Sequence, residues 1–89
     1  MNTQTKAFGA FCRAARAVLG WSQAELATHS GMAVPSIARI ETGVVNPRHD
    51  SITTIIQVIQ KAGLEVTYEW DGSFTIQANK TLFESMPEN

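Results

Sequence analysis

The sequence predicts a mainly α fold in which four helices are followed by a C-terminal β-hairpin. From Ser22 to Gly43, two short apolar-periodic segments are joined by a turn at Gly31, which is the pattern of a helix-turn-helix motif. After Gly63 the apolar spacing changes from about 3.6 residues to 2, and two alternating runs flank a Gly-containing turn. We therefore expect a helical domain over residues 1–63, a hairpin over residues 64–78 and a tail over residues 79–89.

The first two helices are predicted from apolar spacing and from capping residues. The first is expected from about Thr5 to Leu19, where one apolar stripe recurs at helical spacing. Its members are Phe8, Phe11, Cys12, Ala15, Val18 and Leu19. The second helix should open at Ser22 with Glu25 three residues later, because this pair is a capping box in which each side chain satisfies a free backbone N–H.

The third helix is expected to start near Val34 or Pro35 and to end at Gly43, since proline suits the first turn of a helix. Ser51 is the predicted N-cap of a fourth helix that ends at Gly63. Four isoleucines are expected on the inner face of this helix: Ile52, Ile55, Ile56 and Ile59.

The register of the hairpin can be argued from the faces of its strands. A two-residue loop would place Tyr68 and Trp70 on the opposite face from Phe74. A three-residue loop pairs Trp70 with Phe74 and Tyr68 with Ile76, so that the large apolar groups share one face. We expect the second arrangement, followed by a loosely docked tail with Leu82 and Phe83 as anchors.

Composition limits the classes of protein to be considered. The longest apolar stretches are a few residues, far below the roughly 18 that a membrane span needs, and the first residues lack the apolar segment of a signal peptide. The single cysteine, Cys12, cannot form an intrachain disulfide and is expected to be a small buried hydrophobe. We therefore expect a cytoplasmic protein without a membrane partner.

The charge is distributed unevenly along the chain, although the net charge is only −1. Residues 1–63 carry six basic and three acidic side chains, a net +3, whereas residues 64–89 carry one basic and five acidic side chains, a net −4. A basic first part is compatible with one face meeting phosphate. The excess is modest, so non-specific DNA affinity should be weak and sensitive to salt.

The motif residues also carry a family resemblance. The run Ser-Gln-x-x-Leu-Ala-x-x-x-Gly from residue 22, followed by Ser-Ile-x-x-Ile-Glu-x-Gly from residue 36, resembles the lambda-repressor/Cro-like family of helix-turn-helix regulators. With its flanking helices the resemblance extends from roughly Phe8 to Gly63. It implies a lambda-repressor-like four-helix DNA-binding domain and double-stranded DNA as the partner.

The resemblance also implies roles for individual residues. The residues that would face base edges are Val34, Pro35, Ser36 and Arg39, and those that would meet the DNA backbone are Gln23, Thr42, Asn46 and Arg48. Arg16 and Glu41 would form a structural ion pair between the first helix and the end of the recognition helix.

The chemistry of these residues adds detail to the implied roles. Arg39 can bind guanine O6 and N7 through two hydrogen bonds, whereas Val34 and Pro35 can only press on a thymine methyl. The two apolar residues depart from the polar ones that many relatives carry there, so DNA shape should supply more of the specificity. Arg48 and His49 are either phosphate contacts or part of a solvated loop. The same two alternatives, a phosphate contact or a solvated side chain, stay open for Arg13.

The hairpin lies outside the core of the resemblance. Its apolar face either packs on the helices of its own chain or pairs with a second chain, because an isolated hairpin is marginal in water. We expect a homodimer formed through this hairpin, with the fourth helix as a second candidate element of the interface. The residues expected at the dimer interface are Val66, Tyr68, Trp70, Phe74 and Ile76.

Two functions remain open at this level. The first is a sequence-specific transcriptional regulator, most simply a repressor that binds a palindromic operator as a homodimer. The alternative is an antitoxin that binds a toxin protein and autoregulates its operon, because some antitoxins of kinase toxin pairs resemble this layout. Catalysis is not expected, since no nucleophile, base and orienting group form a set. No cofactor or metal is expected either, because His29 lacks a second ligand at metal spacing.

Overall fold

The computed structural model describes residues 3–86 and confirms the mainly helical fold with a two-stranded C-terminal hairpin. In chain order the elements are α1 (Thr3–Leu19), α2 (Gln23–Ser30), α3 (Val34–Thr42), α4 (His49–Lys61), β1 (Glu65–Tyr68), β2 (Phe74–Gln77) and α5 (Lys80–Ser85). Helix α1 lies at the centre of the core, and its apolar stripe is buried as predicted: Phe8, Phe11, Cys12 and Ala15 are at most 1% exposed.

Helices α1 and α3 approach each other closely at Gly9. A Cβ atom on Gly9 would lie 2.7 Å from the carbonyl oxygen of Ile40 and 2.8 Å from that of Glu41, closer than carbon and oxygen normally approach. Glycine is therefore the residue that lets the end of α3 rest on α1 at this distance. The sequence analysis did not identify this position.

The helix-turn-helix segment has the predicted caps. The backbone N–H of Glu25 donates to Ser22 Oγ at 3.0 Å, and the backbone N–H of Ser22 donates to Glu25 Oε1 at 2.9 Å, so the capping box is confirmed. Gly31 ends α2 and Gly43 ends α3, both in the left-handed conformation with φ of 71° and 74°. These local features set the length of the two helices and of the turn between them.

The predicted start of α4 was wrong. The helix begins at His49 with Arg48 as its N-cap residue and no side-chain cap, so Ser51 lies inside the first turn. Pro47 is followed directly by the extended Arg48, and the helix starts at once. The exposed N-terminus can be satisfied by water, and Asp50 in the first turn complements the helix dipole.

The hairpin register also differs from the prediction. Tyr68 pairs with Phe74 and Val66 with Ile76, so the expected Trp70–Phe74 and Tyr68–Ile76 pairs are wrong. The loop between the strands therefore spans residues 70–72 instead of the expected 71–73, a shift of one residue towards the N-terminus. Within this turn the backbone N–H of Ser73 donates to Asp71 Oδ1 at 2.9 Å. The paired apolar residues still share one face, but Trp70 is displaced into the turn.

The apolar face of the hairpin packs on α1 of its own chain. The Tyr68 ring lies 5.2 Å from Phe8 and 5.5 Å from Phe11, and Phe74 lies 5.4 Å from Phe11, all in edge-to-face geometry. Burial against these rings raises the pKa of the Tyr68 hydroxyl. The sequence left open whether this face packs on the helices of its own chain or pairs with a second chain. In the structure it packs on its own chain.

The segment after the hairpin is a short helix rather than a loosely docked tail. Asn79 caps α5 by accepting the backbone N–H of Leu82 at 3.2 Å. Leu82 anchors α5 to the core and is 8% exposed, whereas Phe83 is 52% exposed and does not anchor it. The last residues of the predicted tail, 87–89, lie outside the described residues.

Candidate nucleic-acid interface

Helix α3 buries one side and presents the other to solvent. Its inward side consists of Ile37, Ile40 and Glu41, all at most 4% exposed. The predicted contact residues on the outward side are Val34, Pro35, Arg39 and Thr42, which are exposed, and Ser36, which is half-buried. The side chains predicted to face DNA from this helix thus share one accessible surface.

A cleft of about 320 Å³ lies beside this surface. It is lined by Met32, Ser36, Arg39, Ile40, Val45, Pro47, Arg48 and Ser51. The two arginines come from α3 and from the residue before α4, and none of the described carboxylates lines the cleft. The cleft therefore has the charge that a phosphate or a base edge requires.

The carboxylate of Glu41 tethers the end of α3 to the helices behind it. Arg16 donates from Nε to Oε2 at 2.6 Å and from Nη2 to Oε1 at 2.9 Å, while Gln23 Nε2 donates to Oε1 at 2.9 Å. The hydrogen bond to Glu41 raises the pKa of the Arg16 guanidinium, so this guanidinium stays charged. Every predicted member of this ion pair is in contact, and Gln23 joins it.

Arg13 has a role that sequence reasoning did not assign. Its guanidinium donates to the backbone carbonyl of Glu41, one of the last carbonyls of α3 that no helical N–H can satisfy. Arg13 and Arg16 lie three residues apart on α1, so both can reach the same end of α3. This spacing of the two arginines was the feature of the sequence from which the role of Arg13 could have been predicted.

The predicted backbone-contact residues of the loop are only partly free. Thr42 donates its hydroxyl to the carbonyls of Ala38 and Arg39 at 3.1 and 3.2 Å, and Asn46 Oδ1 accepts from the Thr5 hydroxyl. Arg48 is exposed beside the cleft. Contacts of these residues with DNA phosphates stay predictions.

Two side chains that could suggest other chemistry have structural roles. Burial raises the pKa of the Cys12 thiol to about 12, with a further contribution from the Glu41 charge. His29 is exposed and stacks on Trp21, with ring centroids 4.2 Å apart and planes at 3°.

Within residues 3–86, no group of three or more His, Cys, Asp or Glu side chains could hold a metal ion. In the same range, no helix is both long and apolar enough to cross a membrane.

The comparisons with known proteins agree with this geometry. Residues 7–65, about two thirds of the chain, match a family model described as a helix-turn-helix domain. No curated protein matches the chain. The matched range runs from α1 to the first residue of β1 and so contains the α2–turn–α3 unit with the helices that support it. The chain therefore belongs to the helix-turn-helix family of DNA-binding domains.

Proposed function

We propose that this protein is a sequence-specific transcriptional regulator, a repressor that binds a palindromic operator as a homodimer. The observation that carries the proposal is the outward side of α3, where Arg39 and Arg48 line a cleft to which residues 3–86 contribute no carboxylate. A recognition helix lies in the major groove with its N-terminal residues against base edges. The exposed start of α3 at Val34 suits that arrangement.

Base recognition rests mainly on Arg39. Its guanidinium can bind guanine O6 and N7 together, which is worth about 1–3 kcal/mol of discrimination against another base. Val34 is 41% exposed and can contact a thymine methyl, Pro35 can add apolar contact, and Ser36 can hydrogen-bond several bases. Because Arg39 discriminates strongly between bases and the other three residues discriminate weakly, we expect an operator in which a single guanine position contributes most to specificity.

Backbone contacts orient the recognition helix on the duplex. Gln23 uses one amide N–H on Glu41 and retains a second N–H for a phosphate at the start of α2. Arg48 would contact a phosphate from the loop after α3, with Thr42 and Asn46 beside it. Because few cations take part, affinity for random DNA should be weak and should fall as salt is raised.

A homodimer would supply the remaining affinity. Two copies related by a two-fold axis present two recognition helices to half-sites about 34 Å apart, one turn of DNA. The principal dimensions of the structure are 38, 25 and 19 Å, so two copies placed end to end along the longest one are spaced on the scale of adjacent half-sites.

The test compares binding of Arg39→Ala, Arg48→Ala and Lys80→Ala to a selected operator and to a scrambled duplex, by fluorescence anisotropy at two salt concentrations. Lys80 is an exposed base on α5, so it controls for the loss of one charge. Arg39→Ala should reduce the preference for the operator by about 5- to 150-fold. Arg48→Ala should weaken both duplexes alike and lower the salt dependence. Unchanged preference in Arg39→Ala, or no binding by the wild type in dilute buffer, would refute the proposal.

A further inference from the structure

The hairpin turn presents the most exposed large apolar side chain among the described residues. Trp70 is 84% exposed, although its backbone is held in place. The side chain of Gln4 donates to the Trp70 carbonyl, and the Glu69 N–H donates to the Ser73 carbonyl at 2.8 Å. A Cβ on Gly72 would lie 3.1 Å from Ala7 Cβ, so the turn rests directly on α1. Tryptophan is enriched, with tyrosine and arginine, among the residues that contribute most to binding near the centre of protein interfaces.

A groove of about 440 Å³ lies next to Trp70, between the start of α1, the start of α4 and the hairpin. Its apolar lining includes Pro47, Ile52, Ile56 and Tyr68. Ile52 and Ile56 are one helical turn apart on α4 and are only half-buried. The groove and the indole together form an apolar surface that residues 3–86 leave uncovered.

Two side chains of the groove make a second copy of this chain the occupant that fits it. His49 lines the groove from α4 and Glu69 lines it from the hairpin. A two-fold interface pairs residue i of one copy with residue j of the other and the reverse. A second copy would bring its own Glu69 carboxylate to the His49 imidazole as a hydrogen-bond acceptor, and its own His49 to Glu69, so that both polar side chains of the groove gain a partner.

The position of the groove also fits a dimer on DNA. Pro47 lines both this groove and the cleft that contains Arg39 and Arg48. Asn46, a predicted backbone contact, lines the groove as well. A second copy seated here would lie beside the DNA-facing surface, so that two α3 helices could address one side of a duplex.

We propose that Trp70 and this groove form an isologous homodimer interface, in which the indole of each copy packs into the groove of the other. The inference rests on the proposed function and gives its homodimer a defined surface. It keeps Trp70 and α4 from the interface predicted from sequence and replaces the hairpin face with the hairpin turn. Of the five residues predicted there, Val66, Tyr68, Phe74 and Ile76 already pack against the core of their own chain.

The test is the oligomeric state of the full chain, measured by sedimentation and light scattering from low to high micromolar concentration. The wild type should dimerise, and Trp70→Ser should weaken dimerisation by at least about tenfold. Phe83→Ser is the matched control, because Phe83 is a second exposed aromatic residue, at 52%, that does not line the groove. It should dimerise like the wild type.

A charge exchange keeps the proposal testable if Trp70→Ser disturbs the turn. Glu69→Lys alone should weaken dimerisation, and the double variant His49→Glu/Glu69→Lys should restore it, because the pair is then reversed across the two-fold axis. Failure of the double variant to restore the dimer, or a Trp70→Ser protein that dimerises normally, would overturn the proposal.

DNA binding separates this inference from the proposed function. Trp70→Ser should retain wild-type affinity for a single half-site and lose the additional affinity for two half-sites, whereas Arg39→Ala should remain dimeric and lose operator preference. A wild type that is monomeric alone and on the palindrome overturns the interface, even if it reads a half-site. A monomer that instead binds the product of an adjacent gene also overturns it and favours the toxin-binding alternative.

Discussion

Replacing Glu41 by alanine should destabilise the protein strongly, although the substitution removes only a small side chain. The carboxylate is 2% exposed and accepts hydrogen bonds at 2.6, 2.9 and 2.9 Å from Arg16 and Gln23. Removing one partner of a buried ion pair costs about 3–5 kcal/mol, because the other charge is left uncompensated. The Arg16 side chain is 21% exposed, so water can solvate part of the freed charge. We therefore expect a loss of about 2–4 kcal/mol in the free energy of unfolding.

The assay is urea and thermal denaturation followed by circular dichroism. A loss of about 3 kcal/mol should lower the Tm by about 12–24 °C in a domain of this size. Glu84→Ala is the control, because Glu84 is an exposed carboxylate on α5, and it should change stability by no more than about 0.5 kcal/mol. Glu41→Gln should fall between the two, since it keeps the shape of the side chain and loses the charge.

A double-mutant cycle tests the reasoning behind this number. If Arg16→Met and Glu41→Ala act through one ion pair, the double variant should be more stable than the sum of the single effects predicts. A loss below about 1 kcal/mol in Glu41→Ala, or simple additivity in the cycle, would show that the tether contributes little to stability.

Three further predictions follow from the core, the capping box and the buried thiol. Gly9→Ala should destabilise the protein by about 1–3 kcal/mol in urea denaturation, because the new Cβ would lie 2.7 Å from the Ile40 carbonyl; a gain in stability, as at an ordinary helix position, would contradict the close approach. The backbone N–H of Ser22 lowers the pKa of the Glu25 carboxylate in the folded state. Its stabilisation should therefore be complete above the ordinary value of 4.5 and disappear as pH falls through the folded value. The difference in Tm between wild type and Glu25→Gln should shrink below about pH 4.5, and a constant difference would count against the capping role. The Cys12 thiol, with its pKa raised from 9.0 to about 12, should have about a thousandfold less thiolate than an exposed cysteine; it should react with a disulfide reagent only in denaturant, and fast labelling of the native protein would contradict its burial.

Much of the helix-turn-helix segment was predictable because its determinants are local. Ser22 and Glu25 satisfy each other's backbone N–H groups three residues apart, and Gly31 and Gly43 adopt the left-handed conformation that ends a helix. Capping features of this kind require only a few neighbouring residues. The residues that α3 would present to DNA were instead implied by the family resemblance, and among them Val34, Pro35 and Arg39 are exposed.

The wrong predictions concern segments in which the sequence pattern allows more than one arrangement. Ser51 is an acceptable cap, but the helix starts earlier, directly after Arg48. The predicted register and the observed register both place large apolar groups on one face. The observed register packs Tyr68 against Phe8 and Phe11 and leaves Trp70 in the turn. The segment around Leu82 is polar in sequence, yet one buried side chain and one cap are enough to hold a short helix against the core.

The sequence by itself determined the helices of the motif and their caps, because periodicity and capping act within one or two turns of chain, while the family resemblance supplied the DNA-facing residues of α3 and the Arg16–Glu41 pair. Only the tertiary structure decided that Arg13 and Gly9 also hold the end of α3, and where Trp70 stands. The spacing of residues along a helix limits what they can reach, but a hydrogen bond to Glu41 or a contact with Ile40 exists only once two distant helices have packed together.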